Sequence, residues 1–121
     1  MGSIVIKLPT IPKSMANQSV VLQLKTGQTD DWGKDEYTKM PITNCVVQPQ
    51  TIYSGDNNNR TIVANAIVYF YANVTTPMPV LNRKHVGSVI TFEGQDFTIT
   101  QIVDNRDPFS NDIWSYEVEV I

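Results

Sequence analysis

The sequence predicts an all-β protein, and three observations predict it. Of 121 residues, 12 are Ile, 14 Val and 12 Thr, whereas Leu and Ala supply 4 each. β-Branched side chains are stiff at χ1 and fit a pleated surface better than a helix. The good helix formers Leu, Ala, Glu, Lys and Arg total only 21, which disfavours a helical bundle. Apolar residues also recur with period two in stretches bounded by Gly, Pro, Asn and Asp. The length suits one domain, residues 1–121, whose core needs no staples. The expected architecture is a small six-stranded Greek-key-like barrel or sandwich with long loops.

Residues 1–16, interrupted by Pro9 and Pro12, read as an extended N-terminal arm. Residues 19–25 alternate, placing Val20, Leu22 and Leu24 on one face of a first strand. Residues 26–40 read as a loop with Gly27, Gly33, four acids and Trp32. A second strand over 42–47 is expected to stop at Pro49. Residues 49–60 are irregular, because Ser54, Gly55, Asp56, Asn57, Asn58 and Asn59 are all turn formers.

The strongest strand covers 62–72. Ile62, Ala64, Ala66, Val68 and Phe70 line one face, while Val63, Ile67, Tyr69 and Tyr71 make the other nearly as apolar. A strand apolar on both faces asks for cover on both, and another subunit is one source of the second. Pro77, Pro79 and Gly87 mark a connector with room for one short helical turn around 81–85. Residues 88–92 and 95–103, joined by Glu93-Gly94, form a hairpin in which Phe97, Ile99 and Val103 share a face. A polar loop over 104–112 carries Pro108 and Phe109. The last strand, 113–121, turns Trp114, Tyr116, Val118 and Val120 inward and Ser115, Glu117 and Glu119 outward. Trp114, Tyr116, Phe97 and Ile99 are therefore core candidates. Trp32, flanked by Asp30, Asp31 and Gly33, is an interface candidate.

The net charge of −3 argues against a dedicated duplex-binding protein, which carries a basic patch against phosphates. Charged residues are 17% of the chain, low for a fully solvated surface. The charges fall in blocks: residues 30–59 sum to −3, residues 60–92 to +3 through Arg60, Arg83 and Lys84, and residues 93–121 to −6. Such blocks can pair between copies, or simply be solvated. A single cysteine, Cys45, forms no intramolecular disulfide. The N-terminus lacks the pattern of a signal peptide, and the longest apolar run, 66–72, is far too short to cross a bilayer.

Chemistry-bearing patterns are sparse. Nucleophilic catalysis needs a base beside the nucleophile, and the only histidine, His85, follows the two cations Arg83 and Lys84. Cys45 sits mid-strand, where a small buried hydrophobe is the usual reading. One Cys and one His cannot make a structural zinc site, and neither Asp56-Asn57-Asn58-Asn59 nor Asp104-Asn105-Arg106-Asp107 has calcium-loop spacing. No metal, cofactor or catalytic residue is expected, and the chain reads as a non-enzyme.

Several ordered stretches carry a resemblance. They are Ile11-Pro12-Lys13, Asp30-Asp31-Trp32-Gly33, Ile52-Tyr53-Ser54-Gly55, Asn58-Asn59-Arg60 and Ile62-Val63-Ala64-Asn65-Ala66 running into Tyr69-Phe70-Tyr71-Ala72. Ile90-Thr91-Phe92-Glu93-Gly94-Gln95-Asp96-Phe97-Thr98-Ile99, Asp107-Pro108-Phe109 and Ile113-Trp114-Ser115-Tyr116-Glu117-Val118-Glu119-Val120 follow. Together they resemble the small minor capsid proteins of tailed phages that infect Gram-positive bacteria. The resemblance implies a structural protein of the virion, made in the host cytoplasm and placed at the head–tail interface. It implies a head-completion, or stopper, layer: a homo-oligomeric ring below the portal and adaptor proteins that closes the DNA channel. A tail-completion or tail-terminator protein would bind below, and packaged DNA would be met only by proximity, with no membrane involved.

On that reading the loop toward the channel is Tyr53, Ser54, Gly55, Asp56, Asn57, Asn58, Asn59 and Arg60. Candidate interface residues are Trp32, Asp30, Asp31, Arg83, Lys84, Tyr69 and Tyr71. The alternative is an OB-like barrel that binds oligonucleotide or carbohydrate, which needs exposed aromatics in a basic groove.

Overall fold

The computed structural model describes residues 12–55 and 61–121. A 3₁₀ turn at Lys13–Met15 precedes β1 (Gln18–Thr29), β2 (Asp35–Ser54) and β3 (Thr61–Tyr71). A second 3₁₀ turn, Arg83–His85, leads into β4 (Val89–Phe92), β5 (Gln95–Arg106) and β6 (Ile113–Val120). All pairings are antiparallel, and the strands close into a barrel in the order β1-β2-β3-β6-β5-β4. Two three-strand meanders are thus joined by the 72–88 connector, which carries the chain from β3 to β4. Those two strands stand three places apart whichever way the barrel is followed, so they face each other across it.

Two long strands turn the corners. The first half of β2 pairs with β1 and its second half with β3, and the change falls at Asn44 and Cys45. Asn44 has φ +57, a left-handed conformation that Asn tolerates better than most residues. Its side-chain amide donates to the Ala16 carbonyl at 3.0 Å, and the Thr75 hydroxyl donates to its own carbonyl at 2.7 Å, so the corner is held from both sides. β5 does the same, pairing with β4 up to Thr98 and with β6 from Ile99. Strands that switch partners at such irregularities make the corners of small orthogonal barrels.

The core follows the alternation. Leu22, Ile42, Cys45, Phe70, Ile90, Val118 and Val120 are all fully buried inside the barrel. Leu81 of the connector is 6% exposed and belongs to the same cluster.

Several element boundaries differ from the sequence reading. Residues 26–40 are mostly not a loop: β1 and β2 continue as a hairpin to Thr29↔Asp35, closed by a turn over 30–34. Polar composition hid this, because a hairpin outside the core needs no apolar face. Pro49 does not stop β2, which runs on to Ser54 with a bulge between Pro49 and Ile52. Beyond β3, no described strand flanks this half of β2, and such an edge is where a strand accommodates proline.

The arm expected over 1–16 contains a 3₁₀ turn at its end, and residues 1–11 lie outside the described set. The helical turn expected around 81–85 is present at Arg83–His85. Val103 does not share a face with Phe97 and Ile99. The irregularity between Ile99 and Gln101 shifts the phase, so that Val103 faces out opposite Glu117 while Ile102 faces in opposite Val118. Tyr116 and Ile99 are core residues as expected, whereas Trp114 and Phe97 are only partly buried.

Candidate interaction surfaces

Topology sorts the loops by barrel end. β1, β3 and β5 run one way and β2, β4 and β6 the other, so the β1–β2 turn and the β5–β6 loop share one end. The β2–β3 and β4–β5 turns share the opposite end. Each end presents an exposed aromatic.

At the first end, Asp30 builds the hairpin tip. Its Oδ1 accepts the backbone N–H of Trp32 and of Lys34, both at 2.9 Å. Gly33 closes the turn at φ +78, where any side chain is strained. Trp32 is left 87% exposed. Asp30 is therefore a scaffold for the tip, while Trp32 and Asp31 form its presented surface. Asp35, at the base of the turn, is paired to Lys25 at 3.6 Å. The neighbouring β5–β6 loop is built on the same chemistry: Asp107 Oδ1 accepts the Phe109 N–H at 2.9 Å, and Phe109 is 64% exposed.

At the opposite end the β2–β3 hairpin outruns the barrel. β6 pairs with β3 only from Ala66 to Tyr71, so Thr61–Asn65 and the end of β2 pair with each other alone. Five residues of strand extend about 16 Å. Tyr53 and Ser54, read from sequence as loop, belong to β2 and pair with Ile62 and Thr61. Tyr53 is 55% exposed and Gly55 begins the turn at φ +108. Asp56, Asn57, Asn58, Asn59 and Arg60 lie outside the described residues. An open groove of about 430 Å³ at this end is lined by Val47, Pro49, Ala66, Phe92 and Phe97, with Asn65, Glu93 and Gln95 on its rim.

The outer barrel wall holds the remaining candidates. Tyr69 and Tyr71 stack with ring centroids 6.1 Å apart, and Trp114 meets Tyr71 edge-on at 5.9 Å. Trp114 Nε1 is buried and has no hydrogen-bond partner among the described residues. Tyr69 lies opposite Glu117, and Ile67 opposite Glu119. Burial, and then the Glu117 charge, push the Tyr69 phenol up from its ordinary value. For Tyr71 burial again leads, followed by Tyr69 and Glu117. A stacking platform for single-stranded nucleic acid sets its aromatics in a basic groove, and here carboxylates flank them instead.

Arg83 and Lys84 are exposed on the 3₁₀ turn, which is fixed by a reciprocal cap. The Asn82 side chain accepts the Lys84 N–H at 2.9 Å, and His85 Nδ1 accepts the Asn82 N–H at 3.1 Å. The one histidine thus serves local structure. Burial pushes the Cys45 thiol up to about 11, which keeps it protonated and unreactive at neutral pH. Among the described residues, no three His, Cys, Asp or Glu side chains cluster to hold a metal ion, and no helix is long and apolar enough to cross a membrane.

A closed barrel with presented tips at both ends and an aromatic–acidic wall defines a protein of contact surfaces. Comparison with known proteins says which kind. The chain belongs to the minor capsid protein family, whose pattern it matches over residues 13–120, and is a structural component of a phage virion. It is 42% identical over 118 residues to the uncharacterized protein ORF5 of Lactococcus phage LL-H, covering 95% of this chain and 99% of that one. It is 40% identical over 99 residues to the uncharacterized protein ORF5 of Lactococcus phage mv4, covering 79% and 87%.

Proposed function

We propose that this minor capsid protein is a layer of the head–tail connector: a ring of barrels beneath the portal and adaptor proteins that closes the DNA channel and receives the tail. The supporting observation is that two hairpins leave opposite ends of one strand, the Trp32 tip at one end and the Tyr53–Gly55 hairpin at the other. A layer held between two others needs a contact surface at each end, and a barrel with both hairpins supplies them. Trp32 and Asp31 dock on one neighbouring layer. The β2–β3 hairpin, at its Tyr53–Gly55 end, reaches toward the channel. The dilute chain is a folded monomer, and the ring forms where a template, or a high concentration of copies, brings the subunits together.

Imaging of filled, tailless heads carrying a tagged copy of this chain tests the placement. Density at the portal vertex is the expected result, and density elsewhere on the shell overturns the proposal. Replacing residues 55–59 with a short Gly-Ser turn then tests the gate. Heads with this variant should lose DNA before tails attach, and normal retention would remove the segment from the channel closure.

A further inference from the structure

We propose that copies of this chain join side by side by laying the Arg83–Lys84 turn of one copy against the Tyr69–Tyr71–Glu117–Glu119 wall of the next. The inference rests on the ring reading above and names its lateral contact. Three observations carry it.

The cationic side is pre-formed and unspent. The cap between Asn82 and His85 fixes the turn through backbone groups and those two side chains, so Arg83 and Lys84 are not consumed by it. Both are exposed, and the ion pairs among the described residues, Lys25–Asp35 and Arg106–Asp104, involve neither.

The receiving wall is acidic and part-exposed: Tyr69, Tyr71, Glu117 and Glu119 are half-buried, and Ile67 beside them is 8% exposed. Val46, Tyr69 and Glu117 line up across β2, β3 and β6, as do Gln48, Ile67 and Glu119. Side chains in register across a sheet point to the same face. Glu117 receives one bond, from Asn105 Nδ2 at 3.3 Å, and no described cation pairs with either glutamate. Two like charges two residues apart on one strand face repel, and an incoming cation relieves that. A guanidinium can also lie over a Tyr ring while it forks to a carboxylate.

The two surfaces stand on opposite sides of the barrel. The wall centres on β3, whereas the turn leads straight into β4, three strands away in either direction. The Gly87 N–H bonds to the Ile99 carbonyl at 2.8 Å and holds the turn on the β4–β5 side. A donor surface opposite its acceptor surface makes a head-to-tail contact that passes from copy to copy, the kind of contact from which a ring, and not a two-fold dimer, is built.

Carbodiimide coupling joins an amine directly to a carboxylate in contact with it, and so reads this pairing. Purified chain across a concentration range, and intact particles, should give multimers whose cross-linked peptides join Lys84 to Glu117 or Glu119. The double variants Arg83→Glu/Lys84→Glu and Glu117→Lys/Glu119→Lys should each lose multimer by at least about tenfold. Mixing the two should restore it, because every contact in an alternating ring is then complementary, and the four-fold variant should assemble alone. Melting curves identify any variant that does not fold. The Arg83→Gln/Lys84→Gln variant on the exposed turn, and the cross-linked peptides of the unaltered chain, keep the test decisive in that case. Multimers of the unaltered chain whose cross-links avoid Lys84, or multimers that persist in either folded double variant on its own, overturn the pairing and leave the ring. Absence of multimers in solution and in particles overturns both.

Discussion

The phenolic oxygen of Tyr116 accepts the backbone N–H of Leu81 at 3.2 Å, across 35 positions of sequence and inside the buried core. This bond ties the 72–88 connector to the barrel at the point where the chain passes from one meander to the other. It also explains why a tyrosine, and not a phenylalanine, completes the inward face of β6.

Tyr116→Phe should therefore destabilise the fold while preserving its shape. The lost acceptor leaves the Leu81 N–H buried and unpaired, which costs about 1–3 kcal/mol. Thermal melting should show the loss, and an unchanged melting point would mean that water replaces the phenol.

Phe70→Ala and Trp32→Ala should separate core from surface. Phe70 is fully buried, so its truncation should cost about 3–5 kcal/mol. Trp32 is 87% exposed, and its truncation should change stability by no more than about 0.5 kcal/mol while weakening docking to the adjoining layer. Equal melting losses would place Trp32 in the core.

Trp114 should fall between these two. It packs edge-on against Tyr71 at the barrel rim, yet its indole N–H meets no partner among the described residues. Trp114→Phe removes the orphaned donor and keeps the ring contact, so it should be nearly neutral, whereas Trp114→Ala should cost less than Phe70→Ala. A Phe variant as damaged as the Ala variant would show that the N–H is bonded in solution.

Cys45 should make the fold sensitive to alkaline pH. The folded thiol, held near 11, keeps its proton more tightly than an unfolded thiol at its ordinary 9.0. The associated stability is complete below 9.0 and is lost as pH rises toward about 11. Tyr69 and Tyr71, both raised from 10.0, act in the same direction. Melting temperature should fall across this interval, and less steeply in Cys45→Ala; an identical slope would exclude the thiol. Thiol reagents at neutral pH should label Cys45 only after unfolding.

The strand content and the inward set of β3 and β6 were legible because alternation is written directly in residues such as Val68, Phe70, Val118 and Val120. Hairpin reach was not. Residues 26–29, 35–39 and 50–54 are strand outside the core, and alternation marks a strand only where one face is buried. The phase change at Ile99 is a backbone irregularity without a sequence signature. At the candidate surfaces, the acidity around Tyr69 and Tyr71 was legible once β6 was set beside β3, but that adjacency is non-local. Asp30 looked like a contact residue because an Asx turn and an exposed acid share the same composition.

β2 has a mechanical consequence. Twenty residues of continuous strand, bent at Asn44 and bulged after Pro49, connect the Trp32 turn to the Gly55 turn. Tension applied between those two tips runs along β2 itself, whose backbone is already extended, so little chain can be drawn out and the covalent strand carries the load. Peeling one strand from its neighbour instead breaks ladder hydrogen bonds one by one. A tether between residues 32 and 55 in a pulling experiment should accordingly yield at much higher force than one between residues 93 and 121. The barrel is stiffest along the line joining its two ends.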